Sequence, residues 1–371
     1  MFSNKILYIF GPGRVKRLNN ETEQPIEFFY GYQYFNNRYS SKIIEVNKSK
    51  SNKTRSRKIL FFFDRLIIKF TSFPSYSIEL ISIKNFKIYK NSEKIIFTND
   101  ALYLSFLPIL IFTKLLRFKN QNFVITMGLF GKDSSTKYIK IFDFIYKKIF
   151  LYSADKFLFI GYGEYEYAVK KYSQYKNKFE FVPFGIDTNF WSKNNIQRKE
   201  GLVFVGNDGK RDYEFLKELI HKLKNLHITL VTDYPIDIKL DNVTVIKGNW
   251  SEQLISDSDL RTIYENSKLT IIPLKDSLQP SGQSVTLQSI SCKTPVLITK
   301  TRGFFGDKKF ISDYKVNFVN VNTIENWKKN IDYLLSNYEI SKITENDLDK
   351  FKKNQNFQVF EKKLEKIIFN L

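Results

Sequence analysis

Two segments of this sequence combine residue types that could bind an anionic group. In the first, an apolar strand leads into a polar loop, residues 279–284, which is followed by a short helix and a second apolar strand. A strand, a loop of small residues and a helix together present free backbone N–H groups to an anion. Gly282 lets the backbone approach a ligand without a Cβ in the way, and either Ser281 or Ser284 could cap the helix. We therefore expect this turn to hold an anionic group such as a diphosphate.

The second segment is a glycine turn with two basic residues close behind it. Gly206 follows a short apolar strand, and Lys210 and Arg211 come just after it, at the start of a predicted helix. Basic residues at this end of a helix oppose the helix dipole, and a bound anion would account for them. Arginine binds phosphate through a planar fork, whereas lysine acts as a point charge. The pattern predicts that both side chains neutralise phosphate charge; the alternative is an ordinary exposed helix start.

Length and composition indicate a globular protein of two domains. The chain has 371 residues, of which 43% are hydrophobic and 16% are aromatic. This is long for one core and too apolar for a disordered chain. The single cysteine, Cys292, excludes an internal disulfide and favours a reducing compartment. The first ten residues lack the features of a secretory signal and are typical of a strand, so a cytoplasmic protein is expected.

The formal net charge of +21 could reflect either a general lysine-rich surface or an anionic partner. Lysine, asparagine, isoleucine and phenylalanine are all abundant, which indicates a chain-wide compositional bias and a solvated lysine surface. The excess still favours anionic partners such as phosphate groups or acidic lipid headgroups. The sequence has no zinc-finger, RNP or helix-turn-helix signature, so no specific nucleic-acid partner is expected.

Predicted strands alternate with predicted helices along the whole chain, which favours parallel sheets with crossover connections. The strands are predicted at 5–10, 95–98, 122–127, 156–160, 202–205, 227–232, 243–246, 269–273 and 295–299. The helices are predicted at 25–35, 59–70, 101–116, 136–153, 164–172, 213–224 and 260–265. We predict an N-terminal domain over 1–185, a C-terminal domain over 186–345 and a C-terminal amphipathic helix over 346–371. The two domains should be Rossmann-like and face each other across a cleft that holds the site.

The N-terminal half offers glycines and carboxylates for the acceptor side of this cleft. Gly11 and Gly13 follow the first strand and Gly128 follows a later one, and such turns usually face the ligand. The pattern is not GxGxxG, so a dinucleotide site is not supported. Asp100 and Asp133 also follow predicted strands and are candidate general bases.

Two segments of the same half could contact a membrane, and each has a simpler interpretation. Four basic residues and no acidic one lie between Lys48 and Lys58. This is typical of a solvated loop; the alternative is a patch attracted to an anionic membrane by about 1 kcal/mol per basic residue. Residues 101–116 are strongly apolar but too short to span a bilayer, and they include Pro108 and Lys114. They predict a core helix, with a helix lying in the bilayer face as the alternative.

Four segments resemble the retaining glycosyltransferases of the GT-B fold, the large family 4 group. They are VPFGIDTNFW (182–191), LVFVGNDGKRDYEFLKELI (202–220), DLRTIYENSKLTIIPL (259–274) and PSGQSVTLQSISCKTPVLIT (280–299). The N-terminal half matches only in the order of its elements. The resemblance implies a C-terminal domain that binds the nucleotide-sugar donor and an N-terminal domain that binds the acceptor. Asp257-Ser258-Asp259 spells a DxD but is typical of a helix start, so no metal and no other cofactor is expected.

The chain departs from the family where the resemblance places the donor. The family usually has two glutamates eight positions apart; the later falls on Gln288 and the earlier on Pro280, with Gln279 the nearest polar residue. By the resemblance, Gln288 would bind the ribose, through a neutral hydrogen bond worth about 0.5–1.5 kcal/mol against about 1.5–3 for a charged one. Lys293 replaces the glycine usual before Thr-Pro, so a left-handed conformation there would cost about 1 kcal/mol.

The predicted activity is transfer of a sugar from a nucleotide-sugar to a glycan or a lipid-linked precursor of surface polysaccharide. The predicted donor-binding residues are Gly206, Asn207, Lys210, Arg211, Gln279, Ser281, Gly282, Gln283, Ser284 and Gln288. In the route that the resemblance favours, the departing diphosphate, held by Lys210 and Arg211, takes the acceptor's proton on the same face and the configuration is retained. In the other route Asp100 or Asp133 is the base and the configuration inverts.

Two other functions stay open at this point. One is a nucleotide-sugar epimerase of the same fold, although the chain has only two histidines, both in the C-terminal half, for acid–base work. The other is a non-catalytic protein that binds a sugar-nucleotide or a membrane, because both family glutamates are missing. The expected location is the cytoplasm, with peripheral binding at the inner face of the membrane as a further alternative.

Overall fold

The computed structural model describes residues 4–20, 23–46, 55–71, 74–131, 148–192, 199–248 and 253–370. The chain folds into two compact units. The first consists of Met1–Asn20, Phe28–Val182 and Lys363–Leu371, and the second of Glu21–Glu27 and Pro183–Lys362.

The first unit is built on a six-stranded parallel sheet with the order β2-β1-β3-β4-β5-β6. The strands are β1 Asn4–Phe10, β2 Ser41–Glu45, β3 Ser92–Phe97, β4 Gln121–Thr126, β5 Lys156–Phe159 and β6 Phe179–Phe181. Parallel strands are covered by helices on both faces, which is why runs such as 6–10 are continuously apolar instead of alternating.

Seven helices of the first unit have both ends within the described residues. They are α1 Arg14–Leu18, α2 Tyr32–Asn36, α3 Arg55–Thr71, α4 Ser77–Leu80, α5 Ile83–Lys90, α6 Asp100–Leu115 and α7 Tyr162–Lys171. Residues 148–153 are also helical. Helix α6 is apolar around its whole circumference and is buried along most of its length, with Pro108 inside it. The core helix predicted over 101–116 is thus confirmed.

The second unit has its own six-stranded parallel sheet, with the order β12-β11-β10-β7-β8-β9. The strands are β7 Leu202–Val205, β8 Ile228–Val231, β9 Val243–Ile246, β10 Leu269–Ile272, β11 Val296–Thr299 and β12 Val316–Val319. The helices are α8 Thr188–Trp191, α9 Tyr213–His221, α10 Asp257–Asn266, α11 Gln283–Ser291, α12 Lys308–Asp313, α13 Ile324–Ser336, α14 Tyr338–Ser341 and α15 Glu345–Gln355. The last helix, α16 Phe357–Phe369, begins in the second unit and ends in the first.

The strand order of the second sheet reverses between β7 and β10. From β7 the chain proceeds outward through β8 and β9, and from β10 it proceeds outward on the other side through β11 and β12. Open parallel sheets bind ligands at such a switch point, just beyond the carboxyl ends of the strands. Both segments that the sequence predicts to bind an anion follow these two strands.

Strands β2, β6 and β12 are not predicted from the sequence, and two of the predicted helical segments differ from the structure. Residues 25–35 do not form one helix: a 3-10 turn, Ile26–Phe29, is separated from α2 by Tyr30 and Gly31, whose φ angles are 50° and 83°. The C-terminal segment forms two helices instead of one, because Asn356 between α15 and α16 is extended. Most of the helix predicted over 136–153 lies outside the described residues. Within the described ranges, no helix combines the length and apolarity needed to cross a membrane.

Candidate functional site

The loops that follow β7 and β10 are hydrogen-bonded to each other. Arg211 and Leu274 form an isolated antiparallel bridge, and beside it the backbone N–H of Lys275 donates to the carbonyl oxygen of Lys210 at 2.8 Å. The cationic pair and the chain that leads into the 279–284 turn therefore lie side by side at the switch point of the second sheet. The sequence suggested that these two segments act together, and the structure joins them.

Gly282 adopts a left-handed conformation, with φ of 80°, and is the N-cap residue of α11. It contributes no side-chain capping bond, and a helix N-terminus without one can offer backbone N–H groups to an anion. A Cβ at this position would lie 3.0 Å from Ile298 Cδ1 and 3.2 Å from Ile272 Cγ2. Backbone conformation and space both favour glycine here. The expectation that Ser281 or Ser284 caps this helix is wrong.

Three buried hydroxyl groups around this turn have no hydrogen-bond partner among the described residues. They belong to Ser277, Ser281 and Thr286. Most buried polar groups in proteins are paired, and an unpaired one costs about 1–3 kcal/mol. The turn thus has unused hydrogen-bonding capacity beside the first turn of a helix, as a site for a polyoxygen anion requires.

The other side chains predicted in this turn differ in exposure. Ser284 is exposed, Gln279 and Gln288 are half-buried, and Gln283 is buried. Gln288 lies on α11, in the second turn after Gly282. Its role toward a ribose stays a prediction.

Arg211 is buried, and the protein itself holds its guanidinium group. Nη1 donates to Asp208 Oδ2 at 2.9 Å, and Nε and Nη2 each donate to the carbonyl oxygen of Val205 at 3.3 Å. Gly206 makes room for this arrangement, because a Cβ there would lie 2.2 Å from Arg211 Nε. Arg211 therefore fixes the β7 loop and places a positive charge beneath it. Lys210 is half-buried and forms no ion pair with a described residue, so it is the cation of the two that can reach a ligand.

Asn207 joins three loops at the carboxyl edge of the second sheet. Its Oδ1 accepts hydrogen bonds from Thr232 Oγ1 at 3.2 Å and from the backbone N–H of Asp233 at 2.6 Å. Its Nδ2 donates to the carbonyl oxygen of Gly248. Because both ends of the amide are engaged, the geometry favours a positioning role for Asn207 over direct contact with a donor.

The glycines predicted on the acceptor side follow β1 and β4 in the first unit. Gly13 has φ of 89° and is the N-cap of α1, and Gly128 has φ of 107°. Both conformations favour glycine for backbone reasons alone. A Cβ on Gly11 would meet no atom within 4 Å, so this turn leaves open space at the carboxyl edge of the sheet.

A buried pair of carboxyl groups clamps the loop after β4. Asp100 Oδ2 accepts from the backbone N–H of Met127 at 2.7 Å, while Glu164 Oε2 and Oε1 accept from those of Gly128 at 2.8 Å and Phe130 at 3.0 Å. Burial raises the pKa of Asp100 to about 7. Burial, followed by the neighbouring charge of Asp100, raises the pKa of Glu164 well above its ordinary value. The two groups therefore compete for a proton.

The hydrogen bonds indicate which carboxyl group holds that proton. Both oxygens of Glu164 accept backbone N–H bonds, which favours its ionised form, whereas Asp100 Oδ1 is buried without a described partner. We therefore assign the proton to Asp100. Asp100 is 1% exposed, so as a general base it would need the loop to open, and its catalytic role stays a prediction. The other candidate base, Asp133, lies outside the described residues.

Sequence reasoning missed Glu164, although it lies in the first turn of the helix that follows β5. An acidic residue in a first turn is common, because the helix dipole favours it, so the pattern alone does not mark it as special. The DxD-like triplet behaves as expected: Asp257 and Asp259 lie in the first turn of α10, and Ser256 Oγ caps it by accepting from the backbone N–H of Asp259 at 3.0 Å. The described residues contain no cluster of three or more His, Cys, Asp or Glu side chains suited to a metal ion.

No protein-family model matches the sequence, and no curated protein sequence matches it significantly. Solved structures, in contrast, match along its whole length. A glycosyltransferase from Rickettsia africae ESF-5 superposes with a TM-score of 0.65 at 15% identity, over 99% of this chain and 98% of that one. The Anabaena protein HepE, solved in complex with UDP-glucose, superposes with a TM-score of 0.65 at 8% identity, over 99% and 100% of the two chains.

The same fold also occurs in an enzyme of another class. UDP-N-acetylglucosamine 2-epimerase from Rickettsia bellii superposes with a TM-score of 0.55 at 12% identity, over 99% of this chain and 96% of that one. At these identities the likeness establishes the fold: an α/β protein with two six-stranded parallel sheets, of the GT-B type found in glycosyltransferases.

Proposed function

We propose that this protein is a glycosyltransferase that moves a sugar from a nucleotide-sugar to an acceptor bound by the first unit. The observation that carries the proposal is the joining of the β7 and β10 loops at the switch point. It brings an unpaired lysine, Lys210, next to the chain that leads to the uncapped first turn of α11 and to the unpartnered hydroxyls of Ser281 and Thr286. Cations and convergent N–H and O–H donors are what a diphosphate requires.

The route that we propose retains the configuration and uses no metal. The bond from the sugar to the diphosphate breaks while the acceptor oxygen bonds to the same face, and the acceptor's proton passes to the departing diphosphate. Lys210 and the first turn of α11 stabilise the charge that develops on the diphosphate. The burial of Asp100 supports this route over one that needs a free carboxylate base.

Sugar epimerisation is the second candidate, because a UDP-N-acetylglucosamine 2-epimerase shares the fold. The two activities differ in whether an acceptor is consumed. Incubation with the donor alone would yield an epimer under the second candidate and an unchanged donor under the first.

A panel of nucleotide-sugars in a thermal shift assay tests the binding step. A true donor at about one hundred times its dissociation constant should stabilise the folded protein by about 2.7 kcal/mol. NMR analysis of the product formed with that donor then assigns the anomeric configuration. If no nucleotide-sugar raises the melting temperature, the proposed function is wrong; an inverted product would contradict only the retaining route.

We further propose that the acceptor is a glycan or lipid-linked precursor of surface polysaccharide and that the protein works at the cytoplasmic face of a membrane. Helix α3 supports this. Its inner side is fixed by Asp64, which accepts from the backbone N–H of Ser77 at 2.9 Å and from Ser75 Oγ at 2.5 Å, and by Ile67, which packs in the core. These contacts attach the inner side of α3 to the rest of the first unit.

The outer side of α3 combines basic and apolar residues. Lys58, Arg65 and Lys69 are exposed and share one face of the helix. The exposed apolar residues of the helix flank this face on both sides; they are Ile59, Phe61, Phe62 and Ile68. We call these seven residues the α3 surface. Anionic headgroups would pair with the basic residues while the apolar ones enter the interface, which is the pattern of a helix that lies on a bilayer.

The double substitution Ile59→Ser and Phe62→Ser is expected to lower binding to phosphatidylglycerol vesicles by at least about tenfold. These side chains are 73% and 63% exposed, so their apolar area is available to the bilayer, and burying such a side chain is worth about 1.5–3 kcal/mol. Vesicle co-sedimentation measures the effect. The matched control is Val321→Ser with Ile340→Ser, which removes exposed apolar residues from the second unit. Equal losses in both double variants, or no binding by the wild type, would contradict the assignment.

A further inference from the structure

Two tyrosines from different segments of the second unit stack face to face beside the β7 loop. The ring centroids of Tyr213 and Tyr234 are 3.8 Å apart and the ring planes differ by 4°. Tyr213 opens α9, is 4% exposed, and donates its hydroxyl proton to the carbonyl oxygen of Gly206 at 3.0 Å. Tyr234 lies beyond β8 and is 39% exposed. A buried, hydrogen-bonded ring thus supports a second ring that remains open to solvent.

The backbone beside Tyr234 is held by the same network that organises the β7 loop. The backbone N–H of Tyr234 donates to Thr232 Oγ1 at 3.1 Å, and Thr232 Oγ1 donates to Asn207 Oδ1 at 3.2 Å. Asn207 follows Gly206 directly, so the exposed ring and the cationic loop are fixed relative to each other. An exposed aromatic ring held this rigidly loses little freedom when a ligand stacks on it.

We propose that Tyr234 is the stacking platform for the nucleobase of the donor, an inference that rests on the proposed function. If the diphosphate lies at the switch point between β7 and β10, a nucleoside that extends toward β8 meets the ring of Tyr234. A nucleobase is planar, and every base has a π face, so a stacked aromatic residue supplies affinity without choosing among bases. The platform therefore contributes to binding of uracil, adenine and guanine nucleotides alike, and the choice among them lies elsewhere.

Isothermal titration of UDP, ADP, GDP and inorganic pyrophosphate tests the assignment. Tyr234→Ala should weaken binding of each nucleoside diphosphate that the wild type binds by about tenfold or more, and it should leave pyrophosphate binding unchanged. Tyr234→Phe keeps the π face and should bind within about twofold of the wild type. Tyr333→Ala removes another exposed tyrosine of the same unit, on α13, and should leave the binding of all four ligands unchanged.

Each contrary outcome has a distinct meaning. If the wild type binds nucleoside diphosphates and Tyr234→Ala binds them equally well, the platform is overturned and the proposed function stands. If Tyr234→Ala loses pyrophosphate binding to the same extent, Tyr234 merely supports the β7 loop and the platform is again overturned. If the wild type binds no nucleoside diphosphate, the proposed function and the platform fail together.

Discussion

Replacement of Lys210 by alanine is expected to weaken binding of the donor's nucleoside diphosphate by about ten- to a hundredfold and to leave the free energy of unfolding nearly unchanged. Lys210 is half-buried, lies in the loop joined to β10, and forms no ion pair with a described residue. Charged hydrogen bonds are worth about 1.5–3 kcal/mol, which sets the size of the loss. The folded protein loses no interaction that the structure shows, so stability should be retained.

Arg211→Ala should behave differently, although the two residues are neighbours. The Arg211 side chain is 3% exposed and holds the β7 loop through Asp208 and the carbonyl oxygen of Val205, so its removal should destabilise the loop itself. Loss of binding in that variant would therefore mix an unfolded or rearranged β7 loop with a missing phosphate contact. Lys210→Ala is the cleaner test of the site.

Lys217→Ala is the matched control, since this half-buried helix residue forms an ion pair with Glu214 across one turn of α9. Titration calorimetry measures binding, and urea unfolding of the same samples measures stability. If Lys210→Ala binds the nucleoside diphosphate with unaltered affinity, Lys210 does not contact the diphosphate, and the strongest support for a diphosphate at the switch point is lost.

The sequence predicts nine of the twelve strands and the loops of the site, because these follow from short-range patterns; it does not predict β2, β6 and β12. Apolar runs separated by glycine turns and helices identify the parallel strands, and whichever loop follows a strand must lie at its carboxyl end. The strain predicted at Lys293 is also found, with φ of 55°. This position ends α11 before β11, and the chain must turn there whichever residue occupies it.

The sequence pattern does not predict in which direction a side chain points. Arg211 turns inward because Gly206 lacks a Cβ and because Asp208 and the Val205 carbonyl oxygen accept its protons. The sequence shows only a basic residue after a glycine turn, and this is as typical of a ligand contact as of an inward-pointing structural residue. Asn207 is a similar case, since its three partners come from loops that are 25 to 41 residues further along the chain.

Asp100→Asn is expected to change the pH dependence of stability by several kcal/mol. In the folded protein burial raises the pKa of Asp100 to about 7, whereas an aspartate in an unfolded chain titrates at about 3.9. Between these values the folded protein holds a proton that the unfolded chain has released. Its free energy of unfolding therefore falls as the pH rises, by about 1.4 kcal/mol per pH unit, and the loss is complete above the folded pKa.

Asparagine cannot titrate, so the variant lacks this slope. Relative to Asp100→Asn, the wild type should lose roughly 2–3 kcal/mol of stability between about pH 5 and pH 7. All three tryptophans lie in the second unit, so their fluorescence does not follow the first. Urea unfolding should be followed by circular dichroism, together with hydrogen exchange of the backbone amides of Met127, Gly128 and Phe130, which the carboxyl pair holds.

Glu164→Gln distinguishes the contribution of Glu164 to stability from that of Asp100. One end of its amide would place an N–H donor against the backbone N–H of Gly128 or Phe130, so this variant should lose about 1–3 kcal/mol. Glu166→Gln, exposed on the same helix, removes a carboxyl group without touching the loop and serves as the control. If the difference between Asp100→Asn and the wild type stays constant from about pH 5 to about pH 7, Asp100 is ionised throughout. Glu164 would then hold the proton, and Asp100 would again be a candidate general base for an inverting reaction.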